Sequence, residues 1–191
     1  MKAAAVVAAI VALAFAVAAG GESAVEPEVG RNLFEVFLAK PGVITEVMRP
    51  IGSIESADAR VEIVAILGYE SSNPPDQMRG VRITLESNGG YEQIYLERGL
   101  IMSTMKDLAQ IEEGIPILKS SNSAPYRVEG TASCWRPERP VRILCPSYRI
   151  GPDWSGMTLA VYGGETFSFP DHRPVELGNL LDQALGVIVP H

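Results

Sequence analysis

An α+β protein is what the sequence predicts: a mainly antiparallel β-sheet of about nine strands, in two similar units of β-hairpin plus helix, with the helices packed on the sheet. Three observations lead there. Val81–Glu86 and Tyr91–Leu96 alternate apolar and polar residues around Ser87-Asn88-Gly89-Gly90, and Asn-Gly between alternating runs is the strongest short-range hairpin signal. Leu177, Leu180, Leu181, Ala184 and Leu185 recur at i, i+3, i+4, i+7 and i+8, the stripe of an amphipathic helix. The plan of Val81 to Leu118, a hairpin followed by a short helix, returns over Ser133 to Gly186, which points to an internal duplication although residue identity between the halves is poor.

The chain opens with Met1-Lys2, an uncharged Ala/Val-rich run from Ala3 to Ala19, and then Gly20-Gly21-Glu22. A positive start, an apolar stretch and small residues at the exit read as a signal peptide over 1–20, with Ala16-Val17-Ala18 or Ala18-Ala19-Gly20 at the cleavage positions. The competing reading is an N-terminal membrane anchor, for which a run of 17 weakly apolar residues is at the short limit. Residues 21–31 are acidic, carry Pro27 and read as a flexible leader. A first β-rich unit is expected over 32–118, a Ser-rich linker over 119–125 and a second unit over 126–189.

In the first unit, Asn32 can cap a short helix that buries Leu33, Phe37 and Val36 before Pro41-Gly42 ends it. Val43 to Met48 and Ile51 to Ser56 read as two short strands around Arg49-Pro50. Arg60 to Glu70 is apolar on both faces at its centre, with Val61, Ile63, Ala65, Leu67 and Tyr69 on one side and Val64 and Ile66 on the other, the pattern of an interior strand. Ser71 to Gly80 reads as a loop, because Pro74 and Pro75 interrupt any ladder. With Asn88-Gly89 as the turn, Val81 faces Leu96, Ile83 faces Ile94 and Leu85 faces Glu92. A helix follows over 103–113, with Ser103 as cap, Gly114 as stop and Pro116 against continuation.

In the second unit, Tyr126 to Cys134 and Val141 to Ser147 form a hairpin that turns at Pro137 to Pro140 and sets Cys134 opposite Cys145. Two cysteines in an exported chain suggest one disulfide, Cys134 to Cys145; the alternative is a pair of reduced buried thiols. Met157 to Tyr162 and Thr166 to Phe169 pair about Gly163-Gly164-Glu165, with a three-residue loop opposing Val161 to Phe167 and Leu159 to Phe169. The last helix spans 174–185, starting at Pro174 and stopping at Gly186.

Charge narrows the function. Without Lys2, 15 basic residues face 23 acidic ones, which disfavours nucleic acid as a partner. No Ser-centred elbow, zinc spacing, calcium loop or phosphate-cradling glycine loop is present, so no catalytic residue, metal or cofactor is expected. His172, between Asp171 and Arg173, could serve as a base oriented by Asp171, but a loop-exposed or helix-capping role fits it better, since neighbours in sequence seldom converge on one substrate atom. The one local departure is the arginine-rich stretch from Arg127 to Arg149, containing Arg136, Arg139 and Arg142 with Trp135 and Tyr148, and with Trp154 just beyond. Arginine with aromatics suits recognition of carboxylate, phosphate or glycan; the bland reading is a solvated hairpin edge. The expected function is an exported, soluble, non-catalytic binding module, secreted or periplasmic, whose partner is an envelope or extracellular protein, a glycan or an anionic ligand. The alternative is a hydrolase using scattered carboxylates or His172.

Overall fold

A computed structural model describes residues 30–120, 126–129, 141–151 and 154–189, with 73–75, 118–120 and 126 described in backbone only. The expected signal peptide, nearly all of the leader, most of the linker and the turn of the arginine-rich hairpin lie outside these residues. The described chain runs α1 (Leu33–Leu38), β1 (Val43–Glu55), β2 (Ala59–Glu70), β3 (Asn73–Ser87), β4 (Tyr91–Glu97), α2 (Arg98–Ser120), β5 (Tyr126–Glu129), β6 (Leu144–Ile150), β7 (Ser155–Val161), β8 (Thr166–Pro170) and α3 (Pro174–Ile188). The class is α+β. The strands form two antiparallel four-stranded sheets, each in chain order, β1-β2-β3-β4 and β5-β6-β7-β8.

Each sheet is thus followed by a helix, as the repeated plan predicts, but the helices exchange places. The first half's helix, α2, rests chiefly on β6 and β5, while α3 from the second half rests chiefly on β1 and β2, and the two helices lie against each other. Equivalent strands of the two sheets receive the exchanged helices. One core results, joining Ile63, Ile83 and Leu96 of the first sheet, Leu159, Phe167 and Phe169 of the second, and Ile111, Leu177 and Leu181 of the helices.

The central hairpin has the expected register, with Val81 opposite Leu96, Ile83 opposite Ile94 and Leu85 opposite Glu92. Reciprocal backbone hydrogen bonds between Ser87 and Gly90 close its two-residue turn. β2 is interior and buried on both faces: Val61, Ile63 and Ala65 join the main core, and Val64 and Ile66 join Phe34 in a second cluster on the other side. That second cluster exists because α1 lies close on the outer face of the first sheet. A Cβ at Gly80 would sit 2.3 Å from Phe34 Cε1, and one at Gly68 would sit 2.5 Å from Leu38 Cδ2. Asn32 caps α1 as expected and Phe37 is buried, but Phe34 takes the place expected of Leu33 and Val36, which are exposed.

Four other expectations change. The two short strands around Pro50 are one strand, β1, whose register shifts on either side of Arg49-Pro50 absorb the missing donor. The expected loop 71–80 belongs largely to β3: its prolines fall between the pairs Tyr69–Gln77 and Glu70–Asn73, where the ladder skips and asks nothing of them. α2 starts at Arg98 and runs through Gly114 and Pro116 to Ser120. A proline inside a helix costs about 3 kcal/mol, whereas burying Ile111 and Ile115 on the same turns contributes about 1.5–3 kcal/mol each, so packing decides. α3 likewise continues past Gly186 to bury Ile188.

Registers in the second sheet also differ. Leu159 opposes Phe167 and Met157 opposes Phe169, a slip of two residues from the expected pairing that leaves every side chain on its expected face. Glu129 pairs with Ser147 and Tyr126 with Ile150, whereas a register with Cys134 opposite Cys145 would place Glu129 opposite Ile150. The direct opposition expected of the cysteines is therefore not the register of the described ladder.

Because Leu181 sits in a core common to both sheets, Leu181→Ala is expected to cost about 2–5 kcal/mol in a single urea transition, with amide-exchange protection falling in β2 and β6 together. Separate transitions for the two sheets would contradict a shared core. Leu33→Ala, at a site 73% exposed, is expected to change stability by no more than about 0.5 kcal/mol.

Candidate functional site

Alternation along the strands of the second sheet sends Leu144, Tyr148, Met157, Leu159, Val161, Phe167 and Phe169 into the core. The opposite face then receives Arg127 from β5, Arg149 from β6, Thr158 from β7, and Thr166 and Ser168 from β8. With Trp154 from the turn between β6 and β7, these residues line a groove of about 470 Å³. Gly156, opposite both Arg149 and Pro170, puts no side chain into it. A Cβ there would lie 2.4 Å from the Phe169 carbonyl oxygen, so the closeness of β8 demands the glycine.

Arg127 and Arg149 are direct cross-strand partners. Like charges directly opposite each other in a sheet repel. Arg127 is compensated by Glu129, whose Oε1 lies 2.8 Å from its Nε. Arg149 is exposed and has no ion-pair partner among the described residues. The described lining therefore combines two guanidinium groups, one indole and three hydroxyls, with no carboxylate. This set offers planar, multi-donor hydrogen bonding to a carboxylate, phosphate or sulfate, an aromatic face for an apolar ring surface, and hydroxyls that both donate and accept.

The residues singled out in the sequence separate. Trp154 lines the groove. Tyr148 does not: it is 4% exposed and packed inward, which corrects its place among the binding candidates, because it sits on the core side of β6. Arg142 is drawn elsewhere, its guanidinium donating to Glu92 Oε2 at 2.6 Å and to the Gln93 carbonyl at 3.1 Å. Trp135, Arg136, Arg139 and Cys134 lie outside the described residues; Cys145 is half-buried in β6, opposite Ala160. Arg149 and Arg127 belong to the basic stretch but lack the proline and tryptophan neighbours that draw attention to its middle. Thr158, Thr166 and Ser168 could have been found by following the period-two alternation to its polar side.

Arg142 takes part in a junction between α1, β4 and the second sheet, where it also lines a separate groove of about 330 Å³ with Arg31, Glu35 and Tyr95. Asn32, 3% exposed, donates from Nδ2 to the carbonyls of Tyr95 at 2.6 Å and Arg142 at 3.1 Å, while its Oδ1 accepts from the Glu35 N–H at 3.0 Å. Glu35 Oε2 accepts in return from the Asn32 N–H. Burial pushes the Glu35 carboxyl above its ordinary range, opposed by the N–H groups of Asn32 and Tyr95 and by the charges of Arg142 and Arg31.

His172 is also structural in its contacts. Its Nδ1 lies 2.9 Å from Glu176 Oε2 and its Nε2 lies 2.9 Å from the Glu55 carbonyl oxygen, so both ring nitrogens join the start of α3 to the end of β1. Partial burial alone would raise the Glu176 carboxyl, but the Arg173 N–H and His172 hold it below its usual value. Among the described residues no group of three or more His, Cys, Asp or Glu is placed to hold a metal ion, and no helix is long and apolar enough to cross a membrane. Comparison with family models, with curated proteins and with solved structures finds no match to this chain.

The raised pKa of Glu35 sets a pH dependence of definite sign. A carboxyl raised in the folded state stabilises fully below its ordinary, unfolded pKa and loses that contribution as the pH rises through the folded value. Glu35→Gln keeps an oxygen acceptor but cannot ionise, so it is expected to lose less stability than the native chain across that window. Urea unfolding at stepped pH measures this; parallel curves would exclude Glu35 as the titrating group.

Proposed function

We propose that the protein is an exported, non-catalytic binding module that holds an acidic glycan or a similar hydroxyl-rich anionic ligand in the groove of the second sheet. The observation that carries the reading is the Arg127 and Arg149 pair, directly opposed with Glu129 compensating only one of the two charges among the described residues. An anionic group placed between them relieves the repulsion and receives charge-assisted hydrogen bonds from both. Trp154 can stack on a sugar ring, and Thr158, Thr166 and Ser168 supply hydroxyls along the remainder of the groove. Export rests on the charge and apolar pattern of residues 1–20. The Cys134 to Cys145 disulfide is part of the same reading: it suits an oxidising compartment, and no cysteine among the described residues is a free thiol.

Binding to a uronate-bearing polysaccharide, measured against a neutral polymer of equal length, tests the groove. Each charged hydrogen bond is worth about 1.5–3 kcal/mol, so Arg149→Ser is expected to weaken binding about tenfold or more, and Trp154→Ala to weaken it with the fold intact. Equal binding of acidic and neutral polymers, or no effect of either substitution, would overturn the reading. Arg142→Ser is expected to lower stability through loss of its bonds to Glu92 and Gln93 while leaving affinity unchanged.

Export and the bridge are tested together by intact mass after expression in an exporting host. An N-terminus near Ala19 to Gly21 and a mass lower by two hydrogens, restored by reductant, is the expected result. A full-length chain alkylated at both cysteines would remove both proposals.

A further inference from the structure

On the other side of the molecule, α2 and α3 leave a trough between them of about 440 Å³, with mostly apolar walls. Met105, Leu108 and Ala109 line one side at helical spacing, and Val175, Gly178 and Asn179 line the other. Val175 is 46% exposed and no atom lies within 4 Å of the position a Cβ would take at Gly178, so the floor is open. The contact between Arg173 and Glu112 places the start of α3 beside the far end of this stretch of α2, and the two helices therefore run antiparallel along the trough. Carboxylates stand at both ends. Glu112 is engaged by Arg173, but Glu113 at the same end and Asp182 at the other are without ion-pair partners among the described residues.

We infer that the trough is a docking site for a cationic amphipathic helix of a partner protein. A helix laid between two ridges buries its apolar face against the walls, a recurrent mode of recognition in which anchors come at i, i+3, i+4 and i+7. From Val175 to Asp182 the trough extends about 10 Å at 1.5 Å per residue. Two cations on the ligand therefore meet Asp182 and Glu113 when they are spaced i and i+7, with large apolar residues at i+3 and i+4 between them. Met105 suits such an interface because its flexible thioether adapts to the incoming surface. A second copy of this chain is the wrong occupant: the same acidic rims would face each other in a protein of net charge −7.

The test uses the whole chain and a helical peptide with Lys at i and i+7 and Leu at i+3 and i+4, compared with a peptide of the same helicity with Glu in place of Lys. Titration calorimetry is expected to show binding of the Lys peptide alone. Gly178→Leu projects into the trough from a position where an added Cβ meets nothing within 4 Å, and is expected to reduce affinity at least tenfold while the urea midpoint holds or rises. Glu113→Lys with Asp182→Lys is expected to transfer the preference to the Glu peptide. Equal affinity for both peptides, indifference to Gly178→Leu, or a dimer in solution that Gly178→Leu dissolves would overturn the inference.

Discussion

Everything in this molecule depends on the exchange of its two long helices. Each sheet is covered chiefly by the helix of the other half, so each half relies on the other to bury its apolar face. The inner faces of both sheets and the inward stripes of α2 and α3 form one dry layer. With that layer committed to the helices, the outer faces are left to differ. On the first sheet, glycines at 68 and 80 admit α1; on the second, arginines and hydroxyls occupy the corresponding side. The polar groove is the consequence of a sheet whose other face already carries its full apolar load.

How much of this can be read from the residues depends on the range of the interaction responsible. The central hairpin was legible to the residue because Asn88-Gly89 fixes the turn and the turn fixes the register. Faces were more robust than pairs: the second hairpin slips by two residues yet still buries Phe167 and Phe169. Proline misled twice, at Pro74-Pro75 and at Pro116. Local backbone rules describe the cost of a proline, while neighbours distant in sequence decide whether it is tolerated. The side to which a strand residue points is equally non-local in origin, which is why Tyr148 reads as available in the sequence and is buried in the fold.

The site was legible in outline only. A basic, aromatic stretch announces itself by composition, and Trp154, which stands beside it in sequence, lines the groove. Separating Arg127 and Arg149 from Arg142 required the register of β5 against β6 and a partner for Arg142 that lies 50 residues away. Glu92 captures Arg142 at the edge of the first sheet, where Arg142 and Asn32 also occupy the carbonyls of Gln93 and Tyr95. Those carbonyls would otherwise offer a free sheet edge to other chains. Arg142, which reads as a binding group in sequence, thus guards a sheet edge, while Arg149 of the same basic stretch has no ion-pair partner among the described residues.

The helix exchange has one more consequence, for association between chains. Each helix is held by contacts that do not depend on which chain it comes from. Two molecules could trade their second halves and restore every native interface, with only the connection between α2 and β5 following a different path. Such an open pair would be a three-dimensional domain swap in which monomer and dimer share the same buried surfaces. Their balance would then be set by concentration and by the reach of that connection, rather than by any new interface.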